Sequence, residues 1–335
     1  MSFLSKISSK ISHRAVMSLR ELKAMLGFYN RFYKEARGAR ILIYHGVCLE
    51  NHTRFNSLFV VKKTFEAHLQ FYKKYFHIVS LDDFYKNNFK KDRFNICITF
   101  DDGFANNYKY VVPLLEKYNV PATFFVTAIR NAGYDILWND FLTIVSVNGP
   151  DQFVFQDEMF KKNSRNTYIS SITKKTLSET LKQSGFDAKK EMMLLLEPYA
   201  SFKQKKELED YWLQMTNEEI KKAAVSSFVT IGSHSYHHND LAKISSIEGS
   251  YELRESKTFL ENIIQKPVTQ FAFPYGSYSP IVIDEAIKAG YEQLLAAEFI
   301  YPDDKHNPLM KERMGVNPFI SVTNQMLGII KGNYE

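Results

Sequence analysis

Asn95-Ile96-Cys97-Ile98-Thr99-Phe100-Asp101-Asp102-Gly103 is the stretch that decides the fold prediction. Its first half is a short run of apolar and β-branched residues, which is typical of a buried strand. Because the chain turns at the end of a strand, both Asp101 and Asp102 can reach one site. Two close anions repel each other unless a cation or a proton intervenes. The pair indicates either a metal site, with one carboxylate as ligand and the other as base, or an ordinary acidic turn.

A histidine-rich stretch far downstream favours the metal site. Ile231-Gly232-Ser233-His234-Ser235-Tyr236-His237-His238 continues from a second predicted strand that begins at Phe228. His234 and His238 are four residues apart, a spacing that puts two imidazoles on one side of a helical turn. Imidazole suits zinc and its neighbours in the transition series, and a carboxylate completes an open three-ligand site.

These motifs resemble those of a known family. Thr99-Phe100-Asp101-Asp102-Gly103, followed by Gly232-Ser233-His234-Ser235-Tyr236-His237-His238, is similar to the first two motifs of the polysaccharide deacetylases. That family is carbohydrate esterase family 4, with the NodB-homology domain. Phe271-Ala272-Phe273-Pro274-Tyr275-Gly276 is similar to its third motif. The resemblance runs from about Ala39 to Val316 and contains a long insertion.

Strands and helices alternate on both sides of the first motif. A predicted helix over Asn106 to Tyr118 is followed by a predicted strand over Pro121 to Thr127. Alternation at this spacing predicts an α/β protein with parallel strands and right-handed crossovers. Functional residues at the carboxyl ends of strands favour a barrel over an open sheet. The resemblance implies a distorted (β/α)7 barrel.

The chain is predicted to contain an arm, a barrel and an insertion. Residues 1–38 form the arm, an N-terminal amphipathic basic helix, and residues 39–335 form the barrel domain. A helical insertion at about 128–215 is expected to form a lid or side wall on the barrel. Trp138 and Trp212 are assigned to core packing, with stacking on a sugar ring as the alternative.

The arm combines apolar periodicity with an excess of basic residues. Leu22, Leu26, Tyr29 and Tyr33 recur at helical spacing. Such a helix would lie on an anionic membrane surface, or it would pack on the barrel with its lysines and arginines solvated. No apolar run here is long enough for a secretory or transmembrane segment. We therefore expect a cytoplasmic protein, or one bound peripherally at the inner face of the membrane.

Composition excludes some classes of site. The 335 residues are 45% hydrophobic, which is ample for a large core. Two cysteines rule out a disulfide framework and a thiolate zinc site. The net charge of +6 is compatible with an anionic membrane or a phosphate-bearing partner, but it is too diffuse to indicate nucleic acid. We expect no nucleic-acid partner.

The resemblance implies a role for each motif residue. Asp102, His234 and His238 would hold a divalent metal, with zinc (Zn) expected and cobalt or nickel also suited to these ligands. Asp101 would be the base that deprotonates water. The backbone amide of Tyr275 would help the metal to stabilise the oxyanion.

The sequence departs from the family pattern in three places. The third motif often carries an arginine where this chain has Ala272, and Arg313 is the candidate to orient Asp101 instead, with a surface arginine as the alternative. The late Leu-x-His motif that supplies the general acid is not found near the C-terminus. Family members that look circularly permuted carry a Tyr-His at the end of a front strand, so His45 is the proposed acid, with a structural histidine as the alternative. The fourth motif, with its tryptophan, is not evident.

The implied function is metal-dependent deacetylation. The substrate would be an N-acetylated, or less often O-acetylated, sugar of a cell-envelope polysaccharide, or its lipid-linked or nucleotide-linked precursor. An amidohydrolase acting on a small non-sugar amide would use the same site. Outside the enzymes, the alternative is a non-catalytic glycan-binding or assembly protein on a decayed barrel.

Overall fold

A ring of parallel strands lies at the centre of the structure, a computed structural model that describes residues 15–334. In chain order the strands of this part of the chain are β1 (Gly38–Tyr44), β2 (Val47–Cys48), β3 (Val60–Val61), β4 (His77–Ile78), β5 (Phe94–Phe100), β6 (Ala122–Val126), β7 (Gln152–Phe155), β8 (Glu158–Lys162), β9 (Tyr168–Ser170), β10 (Val229–Ser233), β11 (Gln270–Ala272), β12 (Gln293–Ala296), β13 (Met310–Glu312) and β14 (Met314–Gly315).

Helices flank the ring and build the insertion. They are α1 (residues 15–25), α2 (Asn30–Glu35), α3 (Lys62–Tyr75), α4 (Leu81–Tyr85), α5 (Val112–Tyr118), α6 (Trp138–Asn148), α7 (Leu177–Lys182), α8 (Phe186–Leu196), α9 (Asn217–Val225), α10 (Ser246–Ile264), α11 (Pro280–Lys288) and α12 (Val322–Lys331). A π-helical segment, Asn107–Val111, leads into α5.

The ring closes at a split strand. Its order is β1, β5, β6, β10, β11, β12 and then β13, all parallel, and β14 pairs back with β1. Arg313 is the single residue between β13 and β14, so these two segments act as one strand that changes neighbour at that point. Counted in this way, the described residues form a seven-stranded barrel. The predicted distorted (β/α)7 barrel is confirmed.

The decisive stretch is buried on both faces. Every residue of β5 is buried, as parallel strands covered on both sides require. Cys97 faces a cluster inside the barrel with Phe125 and Ala272, while Ile96 and Ile98 pack in the large outer core against the helices. The unbroken apolar run that predicted this strand therefore reflects its central place in the ring.

The insertion is helical, as predicted, but it also carries an antiparallel three-stranded sheet, β7-β8-β9, that the sequence pattern did not predict. The strand β8 reads Glu-Met-Phe-Lys-Lys, which shows little of the apolar alternation of a half-buried strand. Trp138 and Trp212 are both buried in the core of the insertion. That core also takes in Phe59 and Phe104 from barrel loops, so the insertion packs directly on the barrel.

The described part of the arm consists of α1 and α2. The prediction that Leu4, Ile7 and Ile11 also recur at helical spacing falls on residues 1–14, which lie outside the described residues. Asn324 of α12 donates hydrogen bonds to the Met17 carbonyl and to Glu21, at 3.4 and 3.0 Å, and so attaches one side of α1 to the barrel. Within residues 15–334, no helix combines the length and the apolar character needed to cross a membrane.

Candidate metal centre and active site

Two consecutive carboxylates leave the end of β5 and line one cavity. The strand ends at Phe100, and Asp102 follows with φ of 73°, a left-handed conformation that non-glycine residues rarely adopt. Gly103 continues the turn with φ of 78°, and a Cβ there would lie 2.9 Å from Cγ1 of Val126. The tight turn carries Asp101 and Asp102 to the same cavity.

The two histidines converge on Asp102 through a loop. Ser235 and His238 have φ of 66° and 58°, so the segment after β10 does not form the helical turn that the four-residue spacing suggested. Nε2 of His234 lies 3.5 Å and Nε2 of His238 lies 3.2 Å from Oδ1 of Asp102. All three side chains are buried.

The tautomers of both imidazoles suit a metal. Nδ1 of His234 donates to the carbonyl of Ala272 at 2.8 Å, which leaves Nε2 with a lone pair. Nδ1 of His238 lies 3.0 Å from the Tyr275 hydroxyl, which can accept in the same way. One ligand atom from each of Asp102, His234 and His238 lies within 4.8 Å of the others. A carboxylate oxygen and two oriented imidazole nitrogens are a donor set that fits zinc, cobalt or nickel.

Arg313 binds Asp101 through both ends of its guanidinium. Nη1 lies 2.7 Å from Oδ1 and Nη2 lies 2.8 Å from Oδ2, and both residues are buried. Nη1 also donates to the Thr99 hydroxyl at 3.1 Å. Burial by itself would raise the pKa of the Asp101 carboxyl, but Arg313 and His234 outweigh it and hold that pKa below its usual value. Asp101 is therefore anionic at neutral pH.

The remaining predicted residues lie around the same cavity, which has a volume of about 250 Å³. His45 is half-buried and lines it, one residue after the end of β1. Tyr275, with φ of 59°, lines it from the turn after β11, and its ring centroid lies 4.6 Å from that of His238. The cavity thus brings together residues from the ends of β1, β5, β10 and β11 and from the split strand.

Sequence reasoning missed two asparagines of this cavity. Asn56 comes from the loop between β2 and β3, and Asn139 comes from the first turn of α6. Next to Asn139, the Asp140 side chain is buried, and burial together with the negative charge of Asp102 raises its pKa well above the usual value. No spacing in the sequence marks these residues, because a loop and an insertion place them.

Comparison with known proteins agrees with the geometry. The family model for polysaccharide deacetylases matches residues 88–153 and 198–294, which carry both carboxylates, both histidines and Tyr275. The chain belongs to the polysaccharide deacetylase family. Members of this family are hydrolases of carbon–nitrogen bonds other than peptide bonds and are in general metal-dependent. The unmatched residues 154–197 lie in the insertion.

A curated relative and two solved structures resemble this polysaccharide deacetylase family member. YxkH of Bacillus subtilis, assigned to the polysaccharide deacetylases, is 22% identical over 270 residues, which cover 77% of this chain. The match spans 64% of the length of YxkH.

The deacetylase PplD of Streptococcus pyogenes, solved in complex with acetate, has a TM-score of 0.56 at 17% identity, covering 88% of this chain and 99% of PplD. The polysaccharide deacetylase BC0361 of Bacillus cereus has a TM-score of 0.53 at 19% identity, with coverage of 88% and 69%. At these identities the two structures establish the shared fold.

Proposed function

We propose that the protein is a metal-dependent deacetylase of cell-envelope glycans. Its substrate would be the N-acetyl group, or an O-acetyl group, of a sugar in a polysaccharide or in its lipid-linked precursor. The observation that carries this proposal is the convergence of Asp102, His234 and His238 beside the Arg313-bound carboxylate of Asp101. Metal-assisted hydrolysis of an acyl group requires a set of metal ligands and, next to it, an anionic carboxylate that acts as the base.

Asp102, His234 and His238 would hold the metal, for which zinc is the first expectation. The bound cation would polarise the acyl carbonyl and supply an acidified water. The Nδ1 bonds to Ala272 and Tyr275 keep each Nε2 directed at the site, so the ligands are arranged before the metal binds.

The other residues of the cavity would move protons and stabilise charge. Asp101 accepts the proton of the attacking water, and Arg313 keeps this carboxylate anionic and oriented. The backbone amide of Tyr275 donates to the developing oxyanion. His45 donates a proton to the departing amine or alkoxide, the role of a general acid.

Acetate release tests the proposed activity. The wild type should release acetate from N-acetylglucosamine oligomers or from lipid-linked acetamido sugars, and a chelator should abolish the release. Asp101→Asn should lower turnover about 10²- to 10⁴-fold and keep the metal, because it removes the base and leaves the three metal ligands in place. Asp151→Asn, a fully exposed carboxylate, is the matched control. Release that persists in chelator and in Asp101→Asn would refute the proposal.

The same assay separates the alternatives. Equal hydrolysis of simple acetamides and of glycans would favour an amidohydrolase of small amides. A protein that binds glycans without metal and without acetate release would favour a non-catalytic assembly role. The intact Asp101, Asp102, His234 and His238 group favours the enzyme.

We further propose that the arm contacts an anionic membrane. Leu22, Met25, Leu26 and Phe28 are 54%, 85%, 67% and 69% exposed, although they are apolar. Lys23 lies among them in sequence. Exposed apolar side chains beside cations are typical of helices that lie in the interface of an anionic bilayer. Such contact would hold the protein at a membrane, where a lipid-linked substrate would be found.

Flotation with vesicles containing phosphatidylglycerol tests the arm. The triple variant Met25→Ser, Leu26→Ser, Phe28→Ser should lose most vesicle binding. Val225→Ser removes an equally exposed apolar side chain on α9 and should bind like the wild type. Unchanged flotation of the triple variant would refute the proposed membrane contact. The cytoplasmic location and the lack of a nucleic-acid partner stay predictions.

A further inference from the structure

The insertion contains a lysine with no exposed surface. Lys189, on α8, donates through Nζ to the Ser184 carbonyl at 3.0 Å and to Oδ1 of Asn239. The same Nζ lies 5.1 Å from the centroid of the Trp138 ring. Burying an ammonium group costs free energy unless it is paired and hydrogen-bonded. Lys189 therefore calls for a partner of opposite charge.

The charge partner is reached through Asn239. Nδ2 of Asn239 donates to Oε1 of Glu252 at 2.8 Å, and Glu252 is itself buried on α10. Glu252 also accepts from the backbone N–H groups of Tyr236 and His237, at 2.9 and 2.8 Å, and from Nδ1 of His237 at 2.7 Å. A buried cation of the insertion and a buried anion of a barrel helix are thus joined by one amide, the Lys189–Asn239–Glu252 relay.

His238 lies between two residues of its loop that hydrogen-bond to Glu252. His237 precedes it, Asn239 follows it, and Nε1 of Trp138 lies 3.4 Å from its carbonyl as a donor. Its φ of 58° is a conformation that persists only where the surroundings hold it. Ser235 accepts from the His238 N–H at 3.1 Å, and the relay and the Trp138 contact add constraint from the insertion and from α10.

We propose that the Lys189–Asn239–Glu252 relay and Trp138 form a clamp by which the insertion holds the metal ligand His238 in its binding position. The inference rests on the proposed metal site and makes Lys189 and Trp138 positioning residues. Without the clamp, the loop is freer to leave the left-handed conformation, and the ligand is no longer arranged for the metal. Lys189 lies in the stretch 154–197 that the family model leaves unmatched, so this support belongs to the chain's own insertion.

Lys189→Met tests the clamp, because it removes the ammonium group and keeps a long side chain. Zinc affinity is measured directly, by competition with a chromophoric chelator. We expect the dissociation constant to rise about 10- to 100-fold, the range typical of residues that support metal ligands. Lys190→Met, the exposed neighbour on α8, is the matched control and should change the constant by less than about twofold.

Three further measurements separate positioning from a general structural role. The Co²⁺ absorption spectrum of Lys189→Met should shift relative to the wild type, because the position of His238 sets the coordination geometry. Trp138→Phe keeps an aromatic ring at this buried position but removes the indole N–H together with the pyrrole ring, and it should weaken zinc binding in the same direction. Lys189→Met and Asn239→Ala should be less than additive in zinc affinity, because both interrupt one relay.

Each outcome of these measurements supports or refutes the proposed clamp. Wild-type zinc affinity and an unchanged Co²⁺ spectrum in folded Lys189→Met would overturn it. If Lys189→Met does not fold, wild-type zinc affinity in Trp138→Phe would overturn it instead. A wild type that binds zinc but releases no acetate would refute the proposed deacetylase activity. The clamp would still be tested by the zinc affinities and the Co²⁺ spectrum. A wild type that binds none of zinc, cobalt and nickel would refute both.

Discussion

Arg313 is buried between two strand segments, and its guanidinium makes a two-point contact with Asp101. The third motif of the family often supplies an arginine at the position of Ala272, which here is a buried residue of the barrel interior. The buried carboxylate of Asp101 needs a cation beside it, and that cation can come from any part of the chain. The split between β13 and β14 provides one from the far end of the chain.

Arg313→Met should destabilise the fold. The variant leaves the buried Asp101 carboxylate without its partner, so we expect the free energy of unfolding to fall by about 3–5 kcal/mol. Urea unfolding of the metal-free protein measures this change. Glu312→Gln alters an exposed neighbour and should stay within about 0.5 kcal/mol of the wild type. A similarly small change in Arg313→Met would show that Asp101 does not depend on this pair.

His45→Ala should separate proton transfer from metal binding. His45 lines the cavity but is not one of the three clustered ligands. We expect turnover to fall about 10²- to 10⁴-fold while the bound metal is retained, because a general acid is removed and the ligands are not. Acetate release and metal content are measured on the same sample, with the exposed His306→Ala as control. Near-normal turnover would remove His45 from the mechanism.

The conformation of individual loops and helices decides where the residues of the site lie. The segment after β10 brings His234 and His238 together by two left-handed residues, where the spacing suggested a helical turn. Both conformations put residues four apart on one side, so periodicity cannot distinguish them. The helix α8 presents Lys189 to the same segment from the insertion.

The buried lysine of α8 predicts a specific pH dependence. Burial lowers the pKa of Lys189 from 10.5 to about 8, although Glu252 acts to raise it. Below pH 8 the folded and unfolded forms both hold the proton, so the contribution of this group is constant. Between the two pKa values the unfolded form alone holds the proton, so stability rises with pH in that window.

Comparing the wild type with Lys189→Met isolates this group. From about pH 7.5 to about pH 9, the free energy of unfolding of the wild type should gain about 1 kcal/mol relative to the variant. Urea unfolding at the two pH values measures the difference, and all other titrating groups cancel. A difference that is constant or that falls with pH would show that Lys189 is not a buried ammonium in the folded state.

At the scale of the whole molecule, the barrel brings together the three residues of the proposed metal site. Asp102 follows β5 and His234 follows β10, and the ring brings the two together although they are distant in sequence. A site assembled in this way exists only in the folded chain, so a bound metal stabilises the folded state.

Zinc should therefore stabilise the whole barrel against unfolding. At a free zinc concentration of 100 times the dissociation constant, the free energy of unfolding should rise by about 2.7 kcal/mol. Urea midpoints with and without zinc measure this, and Asp102→Ala should lose the effect. A wild type whose midpoint does not respond to zinc would contradict the three-ligand site.

The sequence by itself determined the buried β5, the alternation of a barrel, and the placement of Asp101, Asp102, His234 and His238 at strand ends. These features depend on neighbours along the chain, through side-chain alternation and through the turn that ends a strand. The resemblance to the deacetylases added the ligand set, and the comparisons confirmed the family and the fold.

Only the tertiary structure decided that Arg313 forms a salt bridge with Asp101 and that the backbone of His238 is in the left-handed conformation. It also decided that Asn239 links Lys189 to Glu252 by hydrogen bonds. It also decided the small sheet of the insertion. These contacts join distant segments, and they depend on where the ring closes and how the insertion packs on it. No local pattern encodes them, because a cation or an amide serves equally well from any part of the chain that the fold brings within hydrogen-bonding distance.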